Sequence, residues 1–370
     1  MINRRALYTP LLAAAIVAAG ATHAAAQPTP GELQAEIAAA VQEAAVAVRE
    51  ATREAATTVR RETRAVTRYQ GNRNNRFEQS DRQTRTVKVG ANGLIELRNI
   101  AGDITVTAGS GDTATIEINK VARGSSDADA REQLGIVTVD VVERGGRVEV
   151  SAKYPEHRNR NERRNLNVST SYRVTAPAGT RIKTESISGS VTVTGVRGDL
   201  ALNTISGGIR VERAGKMVSG QSISGTVELI SAEDDAVVEL SSTSGNVLAR
   251  SVKVRRLDLG SISGTVRASD LQCDAAKLHT ISGDVEYTGA LTSGGSYDFQ
   301  THSGDVRFTV SAGTGFEIQA STFSGEIRSG LPLKLEGMAR SNRTIRGTYG
   351  DGRARVEASS FSGTIVINGK

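Results

Sequence analysis

The chain has 370 residues, with 46 Lys and Arg against 40 Asp and Glu and a formal net charge of +6. So small a surplus over this length points to no particular class of partner. Because Cys273 is the only cysteine, an intrachain disulfide is excluded and covalent cross-links do not stabilise the fold.

The first 26 residues have the order of a secretory signal peptide. Arg4 and Arg5 precede an apolar stretch over 11–19, and small residues at 24–26 predict cleavage after Ala26. The apolar core is only about ten residues long, too short to span a bilayer, and no later segment is apolar enough. We therefore expect an exported protein, periplasmic, cell-surface or secreted, with no transmembrane segment after cleavage.

Residues 27–70 are rich in Ala, Glu and Arg, and their apolar residues recur at steps of three and four from Leu33 to Val59. This spacing predicts an amphipathic helix. Since most of the stripe is alanine, it would bury little area alone. We expect residues 31–68 to serve in docking or self-association.

The composition of residues 71–83 predicts a polar, basic linker. Residues 60–86 contain eight Arg, which indicates a solvated segment or, as the alternative, contact with an anionic envelope polymer or lipid head group. Nucleic acid is not an expected partner, because the protein is exported and only Tyr69 and Phe77 are available for base stacking.

From Thr84 the apolar period changes to two, which predicts half-buried strands in an N-terminal β region over 84–180. Residues 125–134 predict one short helix, for which Ser126 or Asp127 is the expected N-cap. The glycine pair between Arg144 and Arg147 predicts a hairpin turn.

A Ser-Gly repeat occupies residues 181–370. Successive copies are 18 to 21 residues apart, except for a last step of 38, which predicts one degenerate turn between Ser324 and Ser362. Self-similarity at a short fixed period is typical of stacked supersecondary units. The serines of the repeat are Ser188, Ser206, Ser224, Ser244, Ser263, Ser282, Ser303, Ser324 and Ser362.

Alignment on the glycine places apolar residues seven and five positions before it and two and four positions after it. The apolar residue two positions before it, as in Ile187, is also expected to face inward, so the inward phase slips by one residue just before that position. A strand cannot change faces without a bend, so each copy turns a corner at its glycine, where little Cβ bulk fits. The expected fold is all-β: a single-chain parallel β-solenoid of about ten 18–21-residue rungs, filled by aliphatic ladders.

Segments such as 186–193, 280–285 and 360–365 resemble the DUF4097 family of bacterial β-solenoid proteins, as do the lead-in 172–179 and the ending at 347–352. The resemblance runs from about residue 90 to the C-terminus. It implies the architecture and an envelope location, and members are often labelled adhesin-like. It implies no shared catalytic residues and nothing about the helix or the linker.

No catalytic residues, cofactor site or metal site are predicted. There is no Gly-x-Ser-x-Gly elbow, and His157, His279 and His302 do not pair at metal spacing. His302 stands in an otherwise mainly apolar column and is expected to be structural. The repeated serines are also expected to be structural, because hydroxyl ladders satisfy corner backbone groups.

The strongest candidate site is the position after the glycine, where Asp284, Asp305 and Glu326 are expected on consecutive rungs. Stacked carboxylates repel, so they need a cation or a compensating charge. A calcium site or carboxylate-pair chemistry on a polysaccharide is one hypothesis. A solvated ladder neutralised by Arg307 and Arg328 is the favoured interpretation.

The function expected from the sequence is therefore a non-enzymatic, adhesin-like binding or scaffold protein of the cell envelope. Its partner would be an envelope polymer, a surface glycan or a protein. The alternatives are a carbohydrate-active β-helix enzyme that uses the acidic column and a component of cell-envelope stress signalling.

Overall fold

The computed structural model describes residues 77–155, 166–215, 217–232, 235–311, 313–336 and 343–370. The predicted signal peptide, the predicted helix 27–70 and residues 71–76 lie outside the described residues. Within the described residues the chain is all-β apart from helix α1 (Asp127–Ile136).

The strands up to residue 214 are β1 (Phe77–Lys88), β2 (Leu94–Ala101), β3 (Ile104–Gly109), β4 (Thr113–Gly124), β5 (Thr138–Arg144), β6 (Arg147–Lys153), β7 (Val168–Pro177), β8 (Arg181–Ser188), β9 (Val191–Thr194), β10 (Leu200–Thr204) and β11 (Ile209–Ala214). They are followed by β12 (Met217–Ser222), β13 (Val227–Ala232), β14 (Val237–Ser242), β15 (Val247–Ser263), β16 (Val266–Ser282), β17 (Val285–Ser303), β18 (Val306–Val310), β19 (Phe316–Ser324), β20 (Ile327–Ser329), β21 (Lys334–Leu335), β22 (Thr344–Tyr349), β23 (Ala354–Ser362) and β24 (Ile365–Gly369).

Local sequence signals in the N-terminal region are confirmed. The Ser126 hydroxyl caps α1 by accepting a hydrogen bond from the Asp129 N–H at 3.2 Å. β5 and β6 form the expected hairpin, in which Gly145 and Gly146 both have positive φ (53° and 80°), as a two-residue turn of this kind requires.

The predicted linker 71–83 is wrong from Phe77 onwards, because β1 begins there. β1 pairs antiparallel with β4 over its whole length, from Phe77 opposite Gly124 to Lys88 opposite Thr113. Its polar composition misled the prediction: β1 lies on the surface, and Val87 alone among its residues is buried.

Each copy of the repeat is a two-armed rung, with one arm before the glycine and one arm after it. The arms before the glycine form the pre-glycine sheet, in the order β5-β6-β2-β8-β10-β12-β14-β15-β16-β17-β23-β19-β22-β21. The arms after it form the post-glycine sheet, in the order β1-β4-β7-β3-β9-β11-β13-β15-β16-β17-β18-β24-β20.

The strand pairing is mixed, so the prediction of a purely parallel solenoid holds only in part. Neighbouring copies of the repeat pair parallel, for example Leu257 with Ala276. The stack ends with antiparallel strands: β5, β4 and β1 at one end, and β22 and β21 at the other. The resulting architecture is a solenoid-like stack with antiparallel caps.

The glycines of the repeat lie in one file along the corner. A Cβ added to Gly207 would come within 2.0 Å of the Gly189 carbonyl oxygen, and one added to Gly225 within 2.1 Å of the Gly207 oxygen. Real Cβ atoms do not approach an oxygen so closely, so each corner requires glycine. The file runs Gly102, Gly189, Gly207, Gly225, Gly245, Gly264, Gly283, Gly304, Gly363 and Gly325.

The order of this file differs from the order of the chain at the C-terminal end. Gly363 lies between Gly304 and Gly325, because β23 pairs with β17 on one side and β19 on the other. The predicted degenerate turn between Ser324 and Ser362 is therefore wrong. The described part of that interval contains the capping strands β21 and β22, after which the chain returns to enter the stack one rung earlier.

The same interleaving occurs at the N-terminal end. The rung of β2 and β3, with Gly102 at its corner, lies between β6–β7 and β8–β9. This copy has Ala101-Gly102 where the others have Ser-Gly. The Ser-Gly pattern therefore begins only at Ser188 and does not reveal this copy.

The interior differs from the expected aliphatic ladder in two ways. The third position before the glycine is buried, although it is Ser or Thr in every copy but that of Gly102, where it is Asn99. The mostly apolar second position is instead half-exposed. The change of inward-facing phase was predicted just before the second position, but the structure places it after the third position, between there and the glycine. In the C-terminal half the core becomes aromatic, and Tyr287 packs with ring centroids 5.2 Å from Phe299 and 5.8 Å from Phe308.

Candidate functional site: the corner ridge

The residues two positions before the glycine, most of them apolar, form a ridge along the outside of the corner. We call this set the corner ridge. All its members are half-exposed except Phe323, which lies at one end of the ridge and is 51% exposed. In the order of the stack, the corner ridge consists of Ile100, Ile187, Ile205, Ile223, Thr243, Ile262, Ile281, His302, Phe361 and Phe323.

Buried hydroxyls hold the corner beneath the ridge. Ser222 Oγ donates a hydrogen bond to the Gly207 carbonyl at 2.9 Å, and Ser261 Oγ donates to the Gly245 carbonyl at 2.9 Å. The bond links each rung to its neighbour, because the donor belongs to one rung and the acceptor glycine to the next. Thr204, Ser242, Thr280, Thr301, Ser360 and Thr322 make the equivalent bond.

This ladder explains why the second position points outward. A buried carbonyl needs a donor, and a Ser or Thr hydroxyl three residues before the glycine supplies one. Placing that side chain inside turns the following isoleucine out. Hydrophobicity alone favours the isoleucine as the inward residue, and the Ser or Thr that precedes this position in all nine Ser-Gly copies was the signal for the correct orientation.

The ridge ends in a column of stacked rings. The His302 ring lies parallel to the Phe361 ring, with centroids 4.7 Å apart and an interplanar angle of 18°. Phe361 in turn stacks on Phe323 at 4.8 Å and 8°. These separations equal the strand spacing, so the column continues the isoleucine ladder. His302 therefore has the structural position that the sequence predicted, at the corner.

A column of serines runs beside the ridge. Ser206, Ser224 and Ser244 are exposed, and so are the corresponding serines of the later rungs. These are the serines of the Ser-Gly pairs, directly adjacent in sequence to the ridge residues. The corner thus presents aliphatic and aromatic groups beside hydroxyl groups, with no ionisable side chain in the serine column and only His302 in the ridge.

Arg307 bridges Asp284 and Asp305, two of the three carboxylates of the predicted acidic column. Its Nη1 lies 2.8 Å from Asp284 Oδ2 and 3.2 Å from Glu286 Oε1, and its Nη2 lies 2.9 Å from Asp305 Oδ2. The carboxylates also accept backbone N–H groups of the next rung: Asp284 Oδ1 from Asp305 at 3.0 Å, and Asp305 Oδ1 from Thr364 at 2.9 Å.

Glu326 does not follow Asp305 directly, because Thr364 lies between them in the stack. It pairs instead with Arg328, with Oε2 and Nη2 2.8 Å apart. Burial alone would raise the pKa of Asp284, but the Asp305 N–H and the Arg307 guanidinium outweigh burial, and this pKa lies below its usual value. Among the described residues, no group of three or more His, Cys, Asp or Glu side chains is arranged to hold a metal ion.

His279 lies on the outer face of the pre-glycine sheet, above Gly260, and both its ring nitrogens are buried without a hydrogen-bond partner. Its Nδ1 lies 3.7 Å from Asp258 Oδ1. Burial, followed by the nearby Lys277, lowers the pKa of His279 to about 4, so the ring is neutral at neutral pH and the contact is not an ion pair. Burial also raises the pKa of Asp258.

Cys273 is buried in the core, and burial raises the pKa of its thiol to about 12. A thiol of this kind is unreactive while the protein stays folded. His157 lies in the interval 156–165, outside the described residues.

A second corner, after the post-glycine arm, contains non-glycine residues with left-handed backbones: Arg213 (φ 53°), Ser231 (62°), Ser251 (50°) and Asp270 (55°). A shallow depression of about 320 Å³ beside it is lined in part by Ser251 and Asp270. Of the rungs in register here, only that of β9 has a glycine at this position, Gly195 (φ 74°), so no repeated glycine signals the bend and the sequence did not predict it. No helix within the described ranges is long and apolar enough to cross a membrane.

Comparisons with known proteins give one family match and several distant structural similarities. The family model described as Toastrack DUF4097 matches residues 36–368. No curated protein sequence matches at a significant level.

Three of the similar crystal structures have low sequence identity to this chain. A "putative adhesin" from Bacteroides fragilis is 14% identical, with 78% of this chain and 97% of that chain covered and a TM-score of 0.38. A "putative cell adhesion protein" from Clostridium sporogenes is 13% identical, with 79% and 100% covered and a TM-score of 0.25. A "putative lipid binding protein" from Parabacteroides distasonis is 13% identical, with 78% and 97% covered and a TM-score of 0.35. Such low values carry no argument about function.

Proposed function

Because the chain belongs to the DUF4097 Toastrack family, we propose that it is an exported, non-enzymatic, adhesin-like β-solenoid protein of the cell envelope that binds a surface glycan along the corner ridge. The signal sequence predicted over 1–26 supports export. Periplasmic, cell-surface and secreted locations all fit this proposal.

The corner ridge is the observation that carries the proposal. Apolar faces of sugar rings pack on aliphatic and aromatic side chains, and sugar hydroxyls exchange hydrogen bonds with side-chain hydroxyls. The ridge and the serine column supply both groups once per rung, at the strand spacing of about 4.8 Å. An extended polymer could therefore contact several rungs at once, and weak contacts at each rung would add up.

The enzyme alternative has less support. A glycosidase needs one carboxyl group kept protonated as the acid. Arg307 and backbone N–H groups instead favour the ionised form of Asp284, whose pKa is lowered. Glu326 is separated from the other two carboxylates by the rung of Thr364. No observation favours the stress-signalling alternative over glycan binding.

Co-sedimentation with insoluble glycans tests the proposal. Purified peptidoglycan, chitin and cellulose are incubated with the wild type and with Ile223→Asn and Phe323→Ala variants. We expect the wild type to sediment with at least one glycan without releasing soluble sugar, and each variant to bind several-fold less tightly.

Val142→Asn is the matched control, because Val142 is 39% exposed on β5, away from the corner ridge. Equal binding by all variants, or binding by none, would contradict the use of the ridge. Release of soluble sugar that Asp305→Ala abolishes would instead establish the enzyme.

A further inference from the structure

β1 is a long edge strand of the post-glycine sheet. It pairs with β4 along all twelve residues, and its other edge has no partner strand within the described residues. Strands usually have 3 to 10 residues, so this is a long row of unpaired backbone N–H and C=O groups. Such an edge is a template for another strand.

Two-fold symmetry limits how a second copy could pair with this edge. In an antiparallel pair of identical strands, the two-fold axis passes through a residue that faces its own copy. Centring on Asp81, Arg82 or Arg85 would place two like charges opposite each other. Directly opposite like charges destabilise a sheet, so these registers are disfavoured.

A register centred on Gln83 has the opposite property. It places Asp81 opposite Arg85 and Glu78 opposite Lys88, so both acidic residues of β1 face basic residues of the other copy. Residues directly opposite each other point to the same face of a sheet, so these pairs can form ion pairs. The remaining basic residue, Arg82, faces the neutral Thr84.

The local structure is compatible with this pairing. Asp81 is held by Lys120, with Oδ2 and Nζ 3.1 Å apart, and Glu78 is held by Arg123 at 2.9 Å. Both carboxylates are therefore fixed on β1, and the exposed Arg85 side chain of the other copy adds a second cation beside Asp81.

We propose that two copies of this chain associate through their β1 strands, antiparallel and centred on Gln83, and so join the two post-glycine sheets into one continuous sheet. The occupant of the edge is a second copy, because the charge pattern of β1 is complementary to itself. This association is independent of glycan binding at the corner ridge, and independent of the self-association expected for residues 31–68.

Site-specific cross-linking in the full chain tests the register. In Gln83→Cys the two introduced thiols face each other across the axis, at the Cα separation of about 5 Å that a disulfide requires. In Thr86→Cys each thiol faces Ser80 of the other copy instead. Both positions are exposed, and the native Cys273 is buried. We expect roughly tenfold more disulfide-linked dimer from Gln83→Cys under mild oxidation.

Charge reversal on β1 provides a second, independent experiment. Adding Arg85→Glu and Lys88→Glu to Gln83→Cys places acids opposite Asp81 and Glu78, and we expect loss of the cross-linked dimer. Arg328→Glu with Arg353→Glu makes the same change in net charge on exposed residues outside β1 and should leave the cross-link intact. Equal cross-linking at positions 83 and 86, no cross-link at position 83, or a cross-link that survives the reversal at Arg85 and Lys88 would each overturn the proposal.

Discussion

At the scale of single residues, the contacts that stabilise this protein most clearly are those at the corner of each rung. In eight rungs the buried hydroxyl three residues before the glycine donates to the glycine carbonyl of the neighbouring rung, and the glycine leaves room for that carbonyl to approach. A hydrogen bond lost from a buried carbonyl costs more than the same bond lost at the surface. Two serines only two positions apart therefore have unequal roles.

Ser261→Ala should lower the free energy of unfolding by about 1–3 kcal/mol, because the part-buried Gly245 carbonyl loses the donor that the buried Ser261 side chain supplies. Ser263→Ala is the matched control: the side chain is exposed, and no measurable change is expected. Urea denaturation of both variants measures the difference. Equal effects at the two positions would contradict a structural role for the ladder.

His279 should make stability depend on pH. Its pKa is about 4 in the folded protein, below the ordinary value of about 6.5, so between these values the unfolded chain binds a proton that the folded chain does not. Stability is therefore complete above the unfolded pKa and falls as pH decreases towards the folded pKa.

We expect the wild type to lose about 2 kcal/mol of unfolding free energy between about pH 7 and about pH 4.5 through this residue. His279→Gln should lack that part of the loss. Denaturant unfolding at a series of pH values compares the two proteins. If the unfolding free energies of the wild type and His279→Gln changed with pH in parallel, the His279 ring would have an ordinary pKa in the folded protein.

At the scale of strands, the informative feature is the interleaving at both ends. β23 lies between β17 and β19, so the last rung of the chain is not the last rung of the stack. Three independent contacts follow the same order: the glycine file, the hydroxyl ladder and the stacked rings of His302, Phe361 and Phe323.

Disulfide formation between engineered cysteines should report this order. Ser303 lies opposite Ser362, one strand spacing away, whereas Ser324 lies two spacings from Ser303. One spacing of about 4.8 Å fits a disulfide and two do not. Ser303→Cys with Ser362→Cys should oxidise within one chain, and Ser303→Cys with Ser324→Cys should not. The reverse result would restore the simple order expected from the repeat.

At the scale of the whole molecule, the described residues, from Phe77 onwards, belong to one compact unit. Long repeat arrays can lose cooperativity, because each repeat contacts only its neighbours. Here the rungs of β2–β3 and β23–β24 are placed out of chain order, so beyond the edge strand β1 the rungs at either end cannot detach in the order of the chain. We therefore expect this unit to unfold cooperatively.

Cys273 provides a probe for that expectation. Its thiol is buried in the C-terminal half, with a pKa of about 12, so it reacts with a thiol reagent only when its surroundings open. Leu202→Ala, several rungs away, should cost about 2–5 kcal/mol. It should shift the urea midpoint equally by circular dichroism and by Cys273 labelling. A shift in circular dichroism alone would indicate independent unfolding of the two halves.

The sequence by itself determined the repeat, the positions of the nine Ser-Gly corners and the family. Those properties depend on residue type at fixed spacing: glycine where a carbonyl approaches, a hydroxyl three residues earlier, and β-branched residues two residues later. The cap of α1 and the hairpin at Gly145 and Gly146 were predictable for the same reason, because their signals are local.

Only the tertiary structure decided which rung lies beside which, which side of the corner the isoleucines occupy, and which carboxylates Arg307 and Arg328 each contact. Copies of a repeat are nearly equivalent, so any copy can pair with any other in register, and the chain alone does not specify the order. The outward isoleucines follow from a hydrogen bond between rungs, and the position of Arg307 among three carboxylates follows from stacking. Both are contacts between residues distant in sequence, and residue spacing along one chain carries no record of them.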